Sequence, residues 1–221
     1  MALGQKTCYS HFGEDQIVSF LFGEQKTTGL YFDVGCYHPS LFSNTFFFYE
    51  RGWRGILVDA NPFMINLCRE ERPEDIVLHR AIGAENGMAT LYKFNDWGSS
   101  NTIDENFRDR IAQGQNVEVT ETIDVEMISL KSLFDEHAKG QAIDFLNIDI
   151  ENVDYAALSG NDWDLYRPKV IAIEDLGFRL DQPDNSSIHT FLSERNYRME
   201  ARAIYTSIYV ADEARSSLSV S

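Results

Sequence analysis

The chain has 221 residues, 43% of them hydrophobic, enough for one well-packed α/β domain spanning residues 1–221. A formal net charge of −16 leaves no broad basic surface for phosphate backbones, so a nucleic-acid partner is not expected. No stretch approaches the ~20 apolar residues that a bilayer span requires, Met1 to Ser10 carry no apolar signal-peptide core, and Cys8, Cys36 and Cys68 form no CxxC pair, which speaks against a disulfide framework or structural zinc and for a reducing, cytoplasmic setting.

Strands and helices alternate along the chain, the pattern of a mostly parallel sheet covered on both faces. Residues 13–22 (GEDQIVSFLF) place acids in a first turn and Ile17, Val18 and Leu21 at helical spacing. Residues 30–34 (LYFDV) read as a short buried strand ending at Gly35, followed by a helix over 44–51 that stops near Gly52. Residues 55–59 (GILVD) form the second strand, and Asn61-Pro62 offers an N-cap with proline at the first helical position. A third strand covers 76–79. The stretch 83–127 is expected to be an irregular insertion, a substrate-side flap with strands at 89–94 and 117–125 around the polar loop 95–102. Ser129 caps a helix to His137, 143–148 and 170–173 are the fourth and fifth strands, and Ser186 or Ser187 opens a helix to Arg195. Residues 198–203 and 207–211 make a closing antiparallel hairpin, and the tail from Asp212 reads as frayed.

Chemistry is expected at the carboxyl ends of the strands, where ligands bind in open α/β sheets. Asp33-Val34-Gly35 ends the first strand, and a glycine there lets the backbone approach a ligand without a Cβ clash. Asp59 ends the next strand, where a carboxylate can take both hydroxyls of a ribose; either acid alone could equally be a turn or helix cap. The residues after Gly35 are Cys-Tyr-His-Pro-Ser, so the second and third glycines of a phosphate-binding GxGxxG loop are missing. A nucleoside with a ribose and no phosphate fits better, and S-adenosylmethionine is such a ligand. Its candidate binding residues are Asp33, Gly35, Asp59, Asn61 and Ala81.

Several stretches together make the chain recognisable: FGED at 12–15, FDVG at 32–35, SNT at 43–45, RGWRGILVDAN at 51–61, NIDIE at 147–151 and YRPKVIAIE at 166–174. In these the sequence resembles the FkbM family of methyltransferases, over roughly residues 10 to 210. The resemblance implies a single Rossmann-like seven-stranded methyltransferase fold, a mostly parallel sheet with a C-terminal antiparallel hairpin, and S-adenosylmethionine as methyl donor, chiefly to oxygen. The family often carries Asp-x-Glu-Gly-His after the fourth strand, whereas this chain has Asp149-Ile150-Glu151-Asn152-Val153.

Asp149 and Glu151 after the fourth strand, and Glu174 and Asp175 after the fifth, would meet on the donor's rim. Asp149, Glu151 and Glu174 are the candidate catalytic acids, since an attacking hydroxyl must be made more basic. Alternatively, Asp149, Glu174 and Asp175 would hold Mg²⁺, which prefers hard oxygen ligands, or some of the acids would merely cap helices. His38, beside a proline, reads as a loop residue satisfied by backbone rather than as a base. Trp97 to Asn101 would cover the adenine, touch the acceptor or form a surface loop, and Phe46 to Tyr49 are core packing. The expected partner is a small-molecule or glycosidic hydroxyl acceptor. The competing readings are a nicotinamide-dependent oxidoreductase and a non-catalytic S-adenosylmethionine-binding module.

Overall fold

The computed structural model describes residues 6–23 and 25–219. Its elements in chain order are α1 (Glu14–Phe22), β1 (Leu30–Val34), α2 (Phe46–Tyr49), β2 (Arg54–Asp59), α3 (Pro62–Glu71), β3 (Ile76–His79), β4 (Ala81–Gly83), β5 (Gly87–Lys93) and α4 (Glu105–Gln115). They continue with β6 (Glu121–Ser129), α5 (Leu130–His137), β7 (Phe145–Ile148), α6 (Asp154–Ser159), β8 (Val170–Glu174), α7 (Ser187–Ser193), β9 (Tyr197–Ala203) and β10 (Thr206–Ala211).

Seven strands form one sheet in the order β3-β2-β1-β7-β8-β10-β9. The first five are parallel, and β10 runs antiparallel to both β8 and β9. The alternation along β1 sends Phe32 and Val34 into the core on one face, with Leu146, Ile148 and Leu133. Tyr31 on the other face packs with Trp53, Phe48 and Phe145. Short apolar strands buried on both faces are what a helix-covered parallel sheet demands. Phe47 and Phe48 are buried as core, as their sequence context implies.

Local chemistry fixes the helix starts. Asn61 accepts the amide of Phe63 at 3.1 Å with Pro62 behind it, Ser129 accepts that of Ser132 at 3.2 Å, and Ser186 that of His189 at 3.0 Å. The 83–127 region is more ordered than its composition implies. Strands β4, β6 and β5 make a second, three-stranded sheet, and Asp104 caps α4 by accepting the amides of Asn106 and Phe107. The sequence signal for α4 is weak because Phe107 is its one buried residue. Ile82 and Ile128, which flank this stretch on β4 and β6, join the core cluster of Phe32, Val34, Leu146 and Ile148. The tail also differs from expectation. Residues 212–217 wind into a 3-10 helix with Ala214 buried, and the Ser219 amide donates to the Leu21 carbonyl at 2.8 Å. Residues 220 and 221 lie outside the described residues.

Candidate functional site

The chain leaves β1 toward β2 on one side of the sheet, while β7 and β8 lie on the other. The connections therefore diverge between the carboxyl ends of β1 and β7, the place where open α/β sheets leave a crevice. A cavity of about 540 Å³ opens there, within the ~300–1,000 Å³ usual for small-molecule sites. Asp33, Gly35, Asp59, Asn61 and Ala81 all line it, as do Asp149, Glu151 and Glu174. Asp175 does not. It is buried, and its carboxylate accepts the Ser186 hydroxyl, fastening the loop before α7.

Gly35 has a φ of +78°, open to glycine at little cost. A Cβ on it would lie 1.8 Å from the backbone oxygen of Asp149. Glycine is thus needed first for the approach of the β1 and β7 loops to each other, and the cavity forms around that junction. Its amide donates to the Val58 carbonyl at 2.9 Å, which also ties the loop to β2.

Asp59 accepts the amide of Tyr37 at 2.9 Å through one oxygen and the amide of Asn61 at 2.7 Å through the other. Each oxygen keeps a second lone-pair direction for a ligand. Burial raises the Asp59 carboxyl, and the Asn61 and Tyr37 amides counter it. Asn61 also donates to the Asp96 carbonyl at 2.9 Å, and the Tyr37 hydroxyl to the Trp97 carbonyl at 2.9 Å. These bonds draw the 95–103 loop over the Asp59 side of the cavity, where Gly98 to Ile103 form part of its wall. The Trp97 ring packs edge-on to Phe63 and stays 54% exposed, outside the cavity lining.

Asp33 is 1% exposed and its oxygens are already engaged. The Asn147 amide donates to one at 2.9 Å, and the Thr45 hydroxyl donates to the other. Behind it, Arg72 donates to the Thr45 hydroxyl at 3.0 Å, to the Tyr31 hydroxyl at 2.6 Å and to Asp75 at 2.9 Å. Both side chains of the Arg72–Asp75 pair are fully buried. Burial pushes the Asp33 carboxyl up, while the Arg72 charge and the Thr45 and Asn147 bonds pull it back. Asp33 therefore organises the wall between β1 and β7. Sequence reasoning did not single out Arg72, Asp75, Thr45 or Asn147, although Thr45 and Asn147 stand in the SNT and NIDIE stretches.

The acidic side is different in kind. Among the described residues, no hydrogen bond or ion pair reaches the carboxyls of Asp149, Glu151 or Glu174, and Glu174 Oε2 is shut from solvent without a partner. Burial, then the charges of Asp33, Glu14 and Asp59, pushes the Asp149 carboxyl up to about 7. Burial, with Asp149 and Asp154, pushes Glu151 up to about 8. Burial, with Asp149, Glu151 and Asp154 against Arg202, pushes Glu174 up to about 9. The turn that carries two of these acids is constrained: Glu151 and Asn152 have φ of 55° and 79°, and the Thr102 hydroxyl donates to the Glu151 carbonyl at 3.1 Å. Glu14, absent from the expected site, is 2% exposed on the same wall and accepts the Phe12 amide at 2.8 Å.

Mg²⁺ does not find the ligand set expected of Asp149, Glu174 and Asp175. Among the described residues no group of three or more His, Cys, Asp or Glu side chains could hold a metal ion, and Asp175 is committed to Ser186. His38 is the loop residue its context implies, its Nδ1 accepting the amides of Ser40 and Leu41 at 3.2 and 3.0 Å. Among the described residues no helix is long and apolar enough to cross a membrane.

The seven-stranded sheet, with five parallel strands and a closing antiparallel hairpin, and the cavity at its divergence point are the architecture expected of a methyltransferase. The chain belongs to the FkbM methyltransferase family: the model described as "Methyltransferase FkbM domain" matches residues 33–199. Among solved structures, it is similar to a TehB-like SAM-dependent methyltransferase from Corynebacterium glutamicum, with 8% identity over 91% of this chain and 88% of that chain, at a TM-score of 0.45. No curated protein sequence matches the chain.

Proposed function

We propose that this chain is an O-methyltransferase acting on a hydroxyl of a small molecule or sugar-containing metabolite. The residues assigned to the donor are Gly35, Asp59, Asn61 and Ala81, with Asp33 holding the wall behind them. The fit rests on the chemistry of the cradle. Asp59 offers two oxygens, each with a free acceptor direction, as a ribose diol requires, and the Gly35 loop has no phosphate-binding glycines that would go unused. When bound, S-adenosylmethionine supplies a methyl group activated by a sulfonium.

The observation that carries the oxygen reading is the unbonded acid group at the cavity floor. Asp149, Glu151 and Glu174 are raised to about 7, 8 and 9, the range in which a carboxylate is basic enough to take a hydroxyl proton as the oxygen becomes the nucleophile. Their carboxyls have no competing protein partner among the described residues. The remaining work is positioning, holding acceptor oxygen and donor in line and away from water. The 83–127 insertion, tied down through Asn61, Tyr37 and the Glu151 carbonyl, acts in this reading as the flap on the substrate side.

The test is methyl transfer from labelled donor to a panel of glycosides and polyketides, with the new methyl located by NMR. The proposal expects an O-methyl product and micromolar binding of S-adenosylhomocysteine. A methyl found only on nitrogen or carbon overturns it.

A further inference from the structure

The cavity is lopsided in charge. Among the described residues that line it, six carry carboxyls (Glu14, Asp33, Asp59, Asp149, Glu151 and Glu174), whereas Arg80 is the one arginine, with no lysine. Arg80 is itself paired with Glu126 at 3.1 Å. Asp33 and Asp59 have their donors from the protein, and Glu14 accepts from Phe12 and Thr206. Among the described residues, Asp149, Glu151 and Glu174 have none.

Position separates these three. The Asp149 backbone sits against Gly35, on the donor's side. Glu174 ends β8, one strand farther from the donor loop, beside Thr206 and Tyr205 of the closing hairpin. The mouth on that side is aromatic and open. His11 stacks on Phe12 at 3.9 Å, Phe42 tilts against His11 at 4.5 Å, and Tyr205 meets Phe12 edge-on at 5.7 Å. Phe12, Phe42 and Tyr205 are 39%, 49% and 49% exposed. A separate observation asks for a donor on the adjoining β1–β7 wall, where the Asn44 side-chain amide donates to Asn147 at 2.8 Å. Asn44 is 8% exposed and lines the cavity, and among the described residues its side-chain carbonyl has no hydrogen-bond partner.

A neutral hydroxyl acceptor needs one proton-accepting group and leaves the other acids unpaired, a costly state for buried carboxyls. An anionic acceptor would be repelled. An ammonium supplies three donors and a compensating charge, and aromatic faces at the mouth attract cations and the C–H faces of sugars alike.

Resting on the methyltransferase reading above, we infer that the acceptor is an amine-bearing polyol of the amino-sugar class, its ammonium held by Glu151 and Glu174 behind the His11–Phe12–Phe42–Tyr205 mouth. At neutral pH the binding step is an ion-pair formation: each carboxyl protonated in the empty cavity loses its proton to solvent, and the ammonium keeps its own. The groups that set this balance are Asp149 and Asp154 for Glu151, and those two with Glu151 and Arg202 for Glu174.

Calorimetry on the full chain saturated with S-adenosylhomocysteine tests this, using the two-ring aminoglycoside neamine and its fully N-acetylated derivative. Neamine is expected to bind at least about tenfold more tightly than the acetylated form, with heats that depend on the buffer because protons are released. Glu151→Gln and Glu174→Gln, near-isosteric and free of buried charge, should each remove about tenfold of that preference while nucleoside binding persists. Equal binding of the two probes, or neamine binding indifferent to both substitutions, overturns the inference and leaves the methyltransferase reading intact. The same holds if S-adenosylmethionine alone releases the protons and neamine then releases none. Failure of the nucleoside to bind overturns both, whereas a methyl placed on the amine nitrogen overturns only the oxygen assignment.

Discussion

Gly35 packs so closely on Asp149 that a Cβ built on it would lie 1.8 Å from the Asp149 carbonyl oxygen. The same carboxyl end of β7 is pinned from below, the Asp149 amide donating to the Val34 carbonyl at 2.9 Å. The loop after β1 and the acid-bearing turn after β7 are thus a single junction, and a change in one moves the other.

Gly35→Ala is therefore expected to be severe. The left-handed φ alone costs about 1 kcal/mol for a residue with a Cβ, and backbone must shift to clear a contact far below van der Waals distance. S-adenosylhomocysteine binding should be lost and the melting temperature should fall by several degrees. A variant that binds normally in calorimetry would refute this role for the junction.

In the proposed donor site, Asp59 is the residue whose two oxygens each accept a single backbone amide. Asp59→Ala removes the acceptors proposed to face the ribose and frees the Tyr37 and Asn61 amides. A drop of about 10–100-fold in S-adenosylhomocysteine affinity is expected, the usual loss for hydrogen bonds to a charged group. Unchanged affinity would exclude Asp59 from the nucleoside site.

Much of this arrangement was legible in the sequence, for a definable reason. Strands β1, β2 and β3 are short apolar runs closed by Gly35, Asp59 and a turn, and Asn61, Ser129 and Ser186 are caps whose chemistry is local. The unread parts depend on distant contacts. Helix α4 buries Phe107 alone and so shows little periodicity. Arg72 and Asp75 look like surface charges after a helix, and their burial follows only once Tyr31 and Thr45 are brought over them by β1 and α2. The acids after β7 and β8 could be named from their strand ends, but which of them face the cavity could not. Asp175 and Glu174 are neighbours on the chain, yet one is tied to Ser186 and the carboxyl of the other has no partner among the described residues.

Arg72 tests how far the wall of the proposed donor site depends on that hidden network. Removing it leaves Asp75 buried without its partner and takes a counter-charge from Asp33. Arg72→Met is expected to cost about 3–5 kcal/mol in denaturant unfolding. Arg72→Lys should rescue little, because a single ammonium cannot reach Tyr31, Thr45 and Asp75 together. A small stability change in both variants would show the network to be dispensable.

Chelation separates carboxyl chemistry from metal chemistry. With Asp175 held by Ser186 and no metal-binding group of side chains among the described residues, methyl transfer should proceed at the same rate after EDTA treatment and gel filtration as with added Mg²⁺. An activity that disappears on chelation and returns with the ion would reverse that conclusion.

The pH dependence follows from Glu174, raised from 4.5 to about 9 chiefly by burial. A carboxyl whose folded pKa lies above its unfolded value keeps its proton in the native state after the unfolded chain has lost its own. Its contribution to stability is whole below about pH 4.5 and is lost as pH rises toward 9. The melting temperature of the wild type should therefore decline across that window, and Glu174→Gln, neutral throughout, should exceed it by a few degrees near pH 9. Activity should run the other way. If Glu174 takes the hydroxyl proton, kcat/KM rises as its carboxylate forms between pH 7 and 9, and Glu174→Gln lowers kcat about 100-fold and removes that limb of the profile. A variant that gains stability at high pH yet keeps the wild-type profile would leave Glu174 as a binding group and pass the proton to Glu151 or Asp149, whose carboxyls sit at about 8 and 7.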